Sequence, residues 1–126
     1  MSKGKAKWPE QIVVSGKPYQ VLYVRKMSDC DENGRKAYWG LCNYDKAELS
    51  VYVGDKTHSR HTPEHVFQGL LHEVIHAVVE ANRLLEHSRL TNDNAVDALA
   101  IGIADTFVRN GLVVISTSTP EGQVRP

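Results

Sequence analysis

The segment His72-Glu73-Val74-Ile75-His76 holds the residue types that bind a zinc ion and use it. It lies within a mostly apolar run of residues, which predicts a helix. Residues four apart on a helix share one face, so both imidazoles can reach a single ion with Glu73 beside them. Burying two histidines and a glutamate among apolar neighbours without such a use would be costly. The spacing therefore predicts a Zn²⁺ site with His72 and His76 as ligands.

A catalytic zinc usually has three protein ligands and one open position, so this site needs a third ligand. The second predicted helix begins with Asp93 and Asp97, which are one helical turn apart. We expect Asp93 to be the third ligand and Asp97 to accept a hydrogen bond from a ligand imidazole, with Asp97 as the alternative third ligand. Two further candidates are Glu80, beyond the motif on the first helix, and His87 in the following loop.

The composition indicates one cytoplasmic domain. The 126 residues include 15 Lys and Arg and 15 Asp and Glu, so no global field draws the chain to nucleic acid or to an anionic membrane. The lysines at the amino terminus predict a solubilising tail. The sequence contains no apolar stretch of the length that a signal peptide or a membrane span needs. Cys30 and Cys42 lack C-x-x-C spacing, and we expect both to be reduced thiols.

The order of apolar and polar segments predicts an α+β fold, in which a small antiparallel or mixed sheet of three to four strands packs with two main helices. The strands are predicted at residues 11–15, 18–27, 37–42 and 48–53, with a turn at residues 16–18 between the first two. The first helix should start at Pro63 after the N-cap Thr62 and run to about Asn82. The second should follow Thr91 or Asn92 and end at Arg109. Residues 1–8 are expected to form a flexible basic tail, residues 9–114 the single domain and residues 115–126 a disordered tail.

Side-chain periodicity predicts which faces are buried. In the fourth strand, alternation places one set in the core and the other towards water; the core set is Leu49, Val51 and Val53, and the water-facing set is Glu48, Ser50 and Tyr52. On the helices, the predicted core-facing residues are Val66, Leu70, Ile75 and Val78 in the first, and Val96, Leu99, Ala100, Ile103 and Phe107 in the second.

These features together resemble the zincin metallopeptidases of gluzincin type. That family has H-E-x-x-H on one helix and E-x-x-x-D on the next, where this chain has Asp93 and Asp97. The layout of a strand-rich first half followed by two helices is similar to the short ImmA/IrrE-like metallopeptidases that phages and prophages often encode. The most specific matching segments are Leu71-His72-Glu73-Val74-Ile75-His76-Ala77 and Val96-Asp97-Ala98-Leu99-Ala100.

The resemblance implies a zinc-dependent endopeptidase that holds one Zn²⁺ ion and works in the cytoplasm, that of a bacterial host if a phage encodes it. Glu73 would act as general base and then as general acid for a metal-bound water that attacks the peptide bond. His58, His61 or Tyr52 could supply a further donor to the oxyanion. The strand at residues 48–53 would be a sheet edge that pairs with an extended protein or peptide substrate.

The alternative is a zincin-fold module that binds zinc or another protein without catalysis. Glu73 argues against it, because a structural zinc site needs no base and closes its fourth position with a protein ligand. Finding His87 or Glu80 as that fourth ligand would favour the silent module.

Overall fold

The computed structural model describes residues 8–26, 30, 40–54, 62–81, 93–111, 113 and 119–123. Its elements are β1 (Gln11–Val14), β2 (Lys17–Val24), β3 (Gly40–Asn43), β4 (Glu48–Tyr52), α1 (Pro63–Ala81) and α2 (Asp93–Arg109). The strands form one mixed sheet in the order β1-β2-β4-β3. This architecture confirms the predicted α+β fold. Residues 27, 37–39, 82, 91 and 92, which the sequence assigned to elements or caps, lie outside the described residues.

The hairpin of β1 and β2 turns at Ser15 and Gly16. Both residues have positive φ angles, 49° and 85°, as the favoured two-residue hairpin turn requires. Val14 is paired directly with Lys17, so Lys17 and Pro18 belong to β2. The predicted turn at residues 16–18 was therefore one residue too late.

Strand β4 lies in the middle of the sheet, parallel to β2 on one side and antiparallel to β3 on the other. The prediction that residues 48–53 form a sheet edge is wrong, because β4 pairs with β2 as well as with β3. The edge strand on this side is β3, which also contacts α1.

Both faces of β4 are covered. Leu49 and Val51 are fully buried in the main core between the sheet and α1, as predicted. Ser50 and Tyr52, however, are only 1% and 5% exposed, so the predicted water-facing side is wrong. The physical reason is a second, smaller core on the other sheet face, where Tyr52 packs with Val24 and Cys30.

Helix α1 is capped as the sequence predicts. The hydroxyl of Thr62 accepts a hydrogen bond from the backbone N–H of His65 at 3.2 Å, and its carbonyl accepts one from Val66 at 3.0 Å. Pro63 is the first helical residue, where its missing N–H costs nothing. The helix therefore begins at a fixed point relative to the candidate ligands.

The buried face of α1 differs in part from the predicted stripe. Val66 and Leu70 are buried as expected, but Ile75 is half-buried and Val78 is 39% exposed. The buried stripe continues instead through Glu73 and Ala77, with Val79 buried as well. A carboxylate thus occupies a position that the pattern would give to an apolar residue.

Helix α2 packs against α1 and, among the described elements, contacts no strand. Its fully buried residues are Val96, Ala100 and Ala104, spaced four apart along one face. Small residues at this spacing let the two helix backbones approach closely. Leu99 and Phe107 are 46% and 38% exposed, so their predicted place in the core is wrong. The molecule therefore has three layers: the sheet, α1 and α2.

Residues near both termini contact the sheet. Trp8 packs edge-on against Tyr23, with ring centroids 6.2 Å apart, although the sequence placed it in a flexible tail. Near the other end, Gln123 forms a parallel bridge with Val24, and its N–H donates to the carbonyl of Tyr23 at 2.7 Å. Residues 119–123 are thus not the disordered tail expected from residue 115. Among the described residues, no helix is both long and apolar enough to cross a membrane.

The central position of β4 gives a first testable prediction. Val51 is 0% exposed, whereas Val13 on the edge strand β1 is 63% exposed. We expect Val51→Ala to lower the free energy of unfolding by about 2–3 kcal/mol, because it removes two methyl groups from a packed core. Val13→Ala, the matched control, should cost less than about 1 kcal/mol. Urea unfolding measures both, and equal losses would contradict the central placement of β4.

Candidate metal centre

His72 and His76 project from the border of α1, between its sheet-facing and α2-facing sides, and both are half-buried. Their Nε2 atoms are 3.1 Å apart and their ring centroids 4.8 Å apart. With zinc–nitrogen distances of about 2.0–2.1 Å, this separation corresponds to an N–Zn–N angle of about 100°, close to tetrahedral. The separation of the two Nε2 atoms therefore fits two ligands of a single ion.

Asp97 on α2 lies beside the other ring nitrogen of His72. Its Oδ1 is 3.5 Å from Nδ1 of His72, and the Asp97 side chain is 62% exposed. A carboxylate on this side favours the tautomer with a proton on Nδ1, which leaves Nε2 free of a proton and able to bind a metal. This geometry fits the predicted orienting role of Asp97 better than its alternative role as third ligand, because the carboxylate faces the nitrogen away from His76.

The candidates for the third ligand are Asp93, Asp97, Glu80 and His87. Among the described residues, no group of three or more His, Cys, Asp or Glu side chains is arranged to hold a metal ion. Asp93 is the first residue of α2, but its side chain lies outside the described part of the chain, as does His87. Asp93 therefore remains a prediction, and it shares a helix face with Asp97 one turn away.

Glu73 is only 6% exposed and points from the buried stripe of α1 towards the edge strand β3. Its side chain lies directly over Gly40: a Cβ atom built on Gly40 would stand 2.9 Å from Cδ and 3.0 Å from Cγ of Glu73. The carboxylate is thus held between the helix and the first residue of the strand. A buried carboxylate that follows His72 directly on α1 would suit a general base if the histidines hold an ion.

The charge of Glu73 contributes to raised pKa values at two residues, Cys42 and Tyr44, which were not predicted to belong to the site. Burial, and then the charges of Glu73 and Glu80, raise the pKa of the Cys42 thiol to about 12. Burial and nearby acids including Glu73 also raise the pKa of Tyr44 to about 12. Both groups are therefore protonated at neutral pH, and the Cys42 thiol is a poor nucleophile.

Of the three residues predicted as oxyanion donors, Tyr52 is the one that the structure describes. Tyr52 packs in the small core with Val24 and Cys30, on the sheet face opposite α1, so it cannot serve the site. His58 and His61 lie outside the described residues. The described phenol that reaches α1 near the motif is Tyr44, whose hydroxyl donates to the carbonyl of His76 at 3.5 Å. Its place in the turn after β3 gave no sequence signal.

Comparison with known proteins found no matching family model, no matching curated protein and no matching solved structure. The likeness to zincin metallopeptidases therefore depends on the chain's own residues: the motif on α1 and the acids that open α2.

The contact between Asp97 and His72 predicts that removing the charge of Asp97 lowers zinc affinity without abolishing the site. Asp97→Asn should weaken zinc binding by roughly 10-fold while keeping one ion per chain, because it removes an orienting charge and no ligand. Asp105→Asn, on the same helix but paired with Arg109, is the matched control and should leave affinity unchanged. Competition with a chromogenic chelator measures both. Complete loss of zinc in Asp97→Asn would make Asp97 a ligand, and an unchanged affinity would make the contact incidental.

The raised pKa values predict a loss of stability in alkaline solution. The ordinary values are 9.0 for the Cys42 thiol and 10.0 for the Tyr44 phenol, and both rise to about 12 in the folded chain. The folded state holds these protons more tightly than the unfolded state, so the stabilisation is complete below about pH 9 and is lost as the pH rises towards about 12. Urea midpoints between about pH 8 and pH 11 should fall, and Cys42→Ala should reduce the fall. An identical profile in the variant would contradict this assignment.

Proposed function

We propose that this protein is a zinc-dependent endopeptidase that cuts a peptide bond in an extended segment of another protein. The observation that carries the proposal is the pairing of two imidazoles, with Nε2 atoms 3.1 Å apart, and the buried carboxylate of Glu73 on the same helix. A structural zinc site has no use for such a carboxylate. A hydrolytic site needs one to move a proton.

Each side chain is assigned one role in this proposal. His72 and His76 hold the ion, Asp97 fixes the tautomer of His72, and Asp93 completes the protein ligands from the start of α2. When bound, zinc supplies Lewis-acid activation of water and of the scissile carbonyl. Glu73 takes one proton from the attacking water and gives it to the leaving amine as the carbon–nitrogen bond breaks. Its low exposure keeps that proton from exchanging with bulk solvent.

The substrate segment is proposed to pair with β3. Among the described strands, β3 has a neighbour on one side only, and its first residue lies against Glu73. A peptide added along an open edge gains main-chain hydrogen bonds whatever its side chains, which suits cleavage of an unfolded or extended segment. The edge pairing predicted for residues 48–53 is therefore proposed for β3 instead.

The test is peptide cleavage by the zinc-loaded protein, measured by mass spectrometry on an unstructured protein such as casein. Glu73→Gln should keep one zinc per chain and lower the cleavage rate by at least about 100-fold, because the amide cannot accept the proton. Glu64→Gln is the matched control on the exposed first turn of α1 and should cleave as the parent does.

Two results would contradict the proposal. Full activity in Glu73→Gln would remove Glu73 from the chemistry. A parent protein that binds zinc with four protein ligands and cleaves nothing would instead be the silent zinc-binding or interaction module.

A further inference from the structure

We propose that Gly40 is a positioning residue for Glu73, and that the absence of a side chain at the start of β3 is what allows the buried carboxylate to lie between α1 and that strand. The part of this proposal that concerns catalysis rests on the proposed function. The contact on which it depends is geometric and concerns two residues far apart in the sequence.

The space over Gly40 is filled by Glu73. An added Cβ would stand 2.9 Å from Cδ and 3.0 Å from Cγ of Glu73, and it would meet Oε2 more closely still. Real Cβ atoms essentially never approach other heavy atoms at less than 3.0 Å. The contacts shorter than 3.0 Å are with Oε2 and Cδ, at the end of the Glu73 side chain, and Cγ lies at the 3.0 Å limit. An added Cβ would therefore require the carboxylate end to move and Cγ to give way by a few tenths of an ångström.

Backbone conformation does not explain this glycine. The described glycines with positive φ are Gly16, Gly54 and Gly111, so Gly40 has a φ that any residue can adopt. A glycine inside a strand weakens it and often marks a close approach by another group. Here that group is the Glu73 side chain, which is only 6% exposed and has little room to take another rotamer.

The position of β3 makes the contact relevant to chemistry. Gly40 pairs with Val51 of the central strand, so it is fixed by the sheet and cannot easily retreat. The carboxylate is therefore confined between a fixed strand and the helix turn that carries His72 and His76. A side chain at position 40 would push Glu73 away from this place.

The test is a double-variant cycle of Gly40→Ala with Glu73→Ala, followed by thermal unfolding. In the parent, Gly40→Ala should lower the unfolding midpoint by roughly 4 °C or more. In the Glu73→Ala background the same change should lower it by less than about 1 °C, because the space is then empty. Gly102→Ala is the control, since a Cβ there meets nothing within 4 Å.

Zinc content and cleavage provide the second readout. Gly40→Ala should still bind one zinc and should lose cleavage by at least about 10-fold, with no further loss when it is combined with Glu73→Gln. Equal midpoint changes in the two backgrounds, or an unchanged cleavage rate in Gly40→Ala, would overturn the proposal. If the parent cleaves nothing, the proposed function fails on that result, and the unfolding cycle alone decides whether Gly40 positions Glu73.

Discussion

Helix α1 has to bury two faces at once, one against the sheet and one against α2, and the candidate site exists at the border between them. The sheet-facing stripe of Val66, Leu70 and Ala77 fixes the rotation of the helix. Once that rotation is fixed, His72 and His76 must lie at the border and Glu73 must turn towards β3. Packing free energy therefore sets the geometry of the polar residues, which could not hold the helix in place themselves.

Local signals predicted the elements and the core of the site. Thr62 and Pro63 fixed the start of α1 because capping is a matter of a few neighbouring residues. The four-residue spacing of His72 and His76 brought their Nε2 atoms within 3.1 Å because helical geometry leaves little freedom at that separation. Asp97 lies near His72 because it is one turn into α2, which packs against α1.

Features that depend on contacts between distant elements were not predicted from the sequence. Strand β4 alternates like a half-exposed strand, and only the second core on the other sheet face, where Tyr52 packs with Val24 and Cys30, explains why its predicted water-facing side is buried. The buried face of α2 follows its alanines rather than Leu99 and Phe107, because close helix packing favours small residues. The contact of Gly40 with Glu73 joins two elements whose approach no local pattern encodes. Tertiary packing, rather than local periodicity, determines these features.

The central claim is that α1 and α2 form a zinc site with two imidazole ligands and an open position. Zinc-edge X-ray absorption of the protein loaded with one equivalent of Zn²⁺ tests it most directly. We predict a first shell of two imidazole nitrogens with oxygen donors, at about 2.0–2.1 Å. A shell that contains sulfur or more than two imidazoles, or a protein that retains no zinc, would contradict the claim.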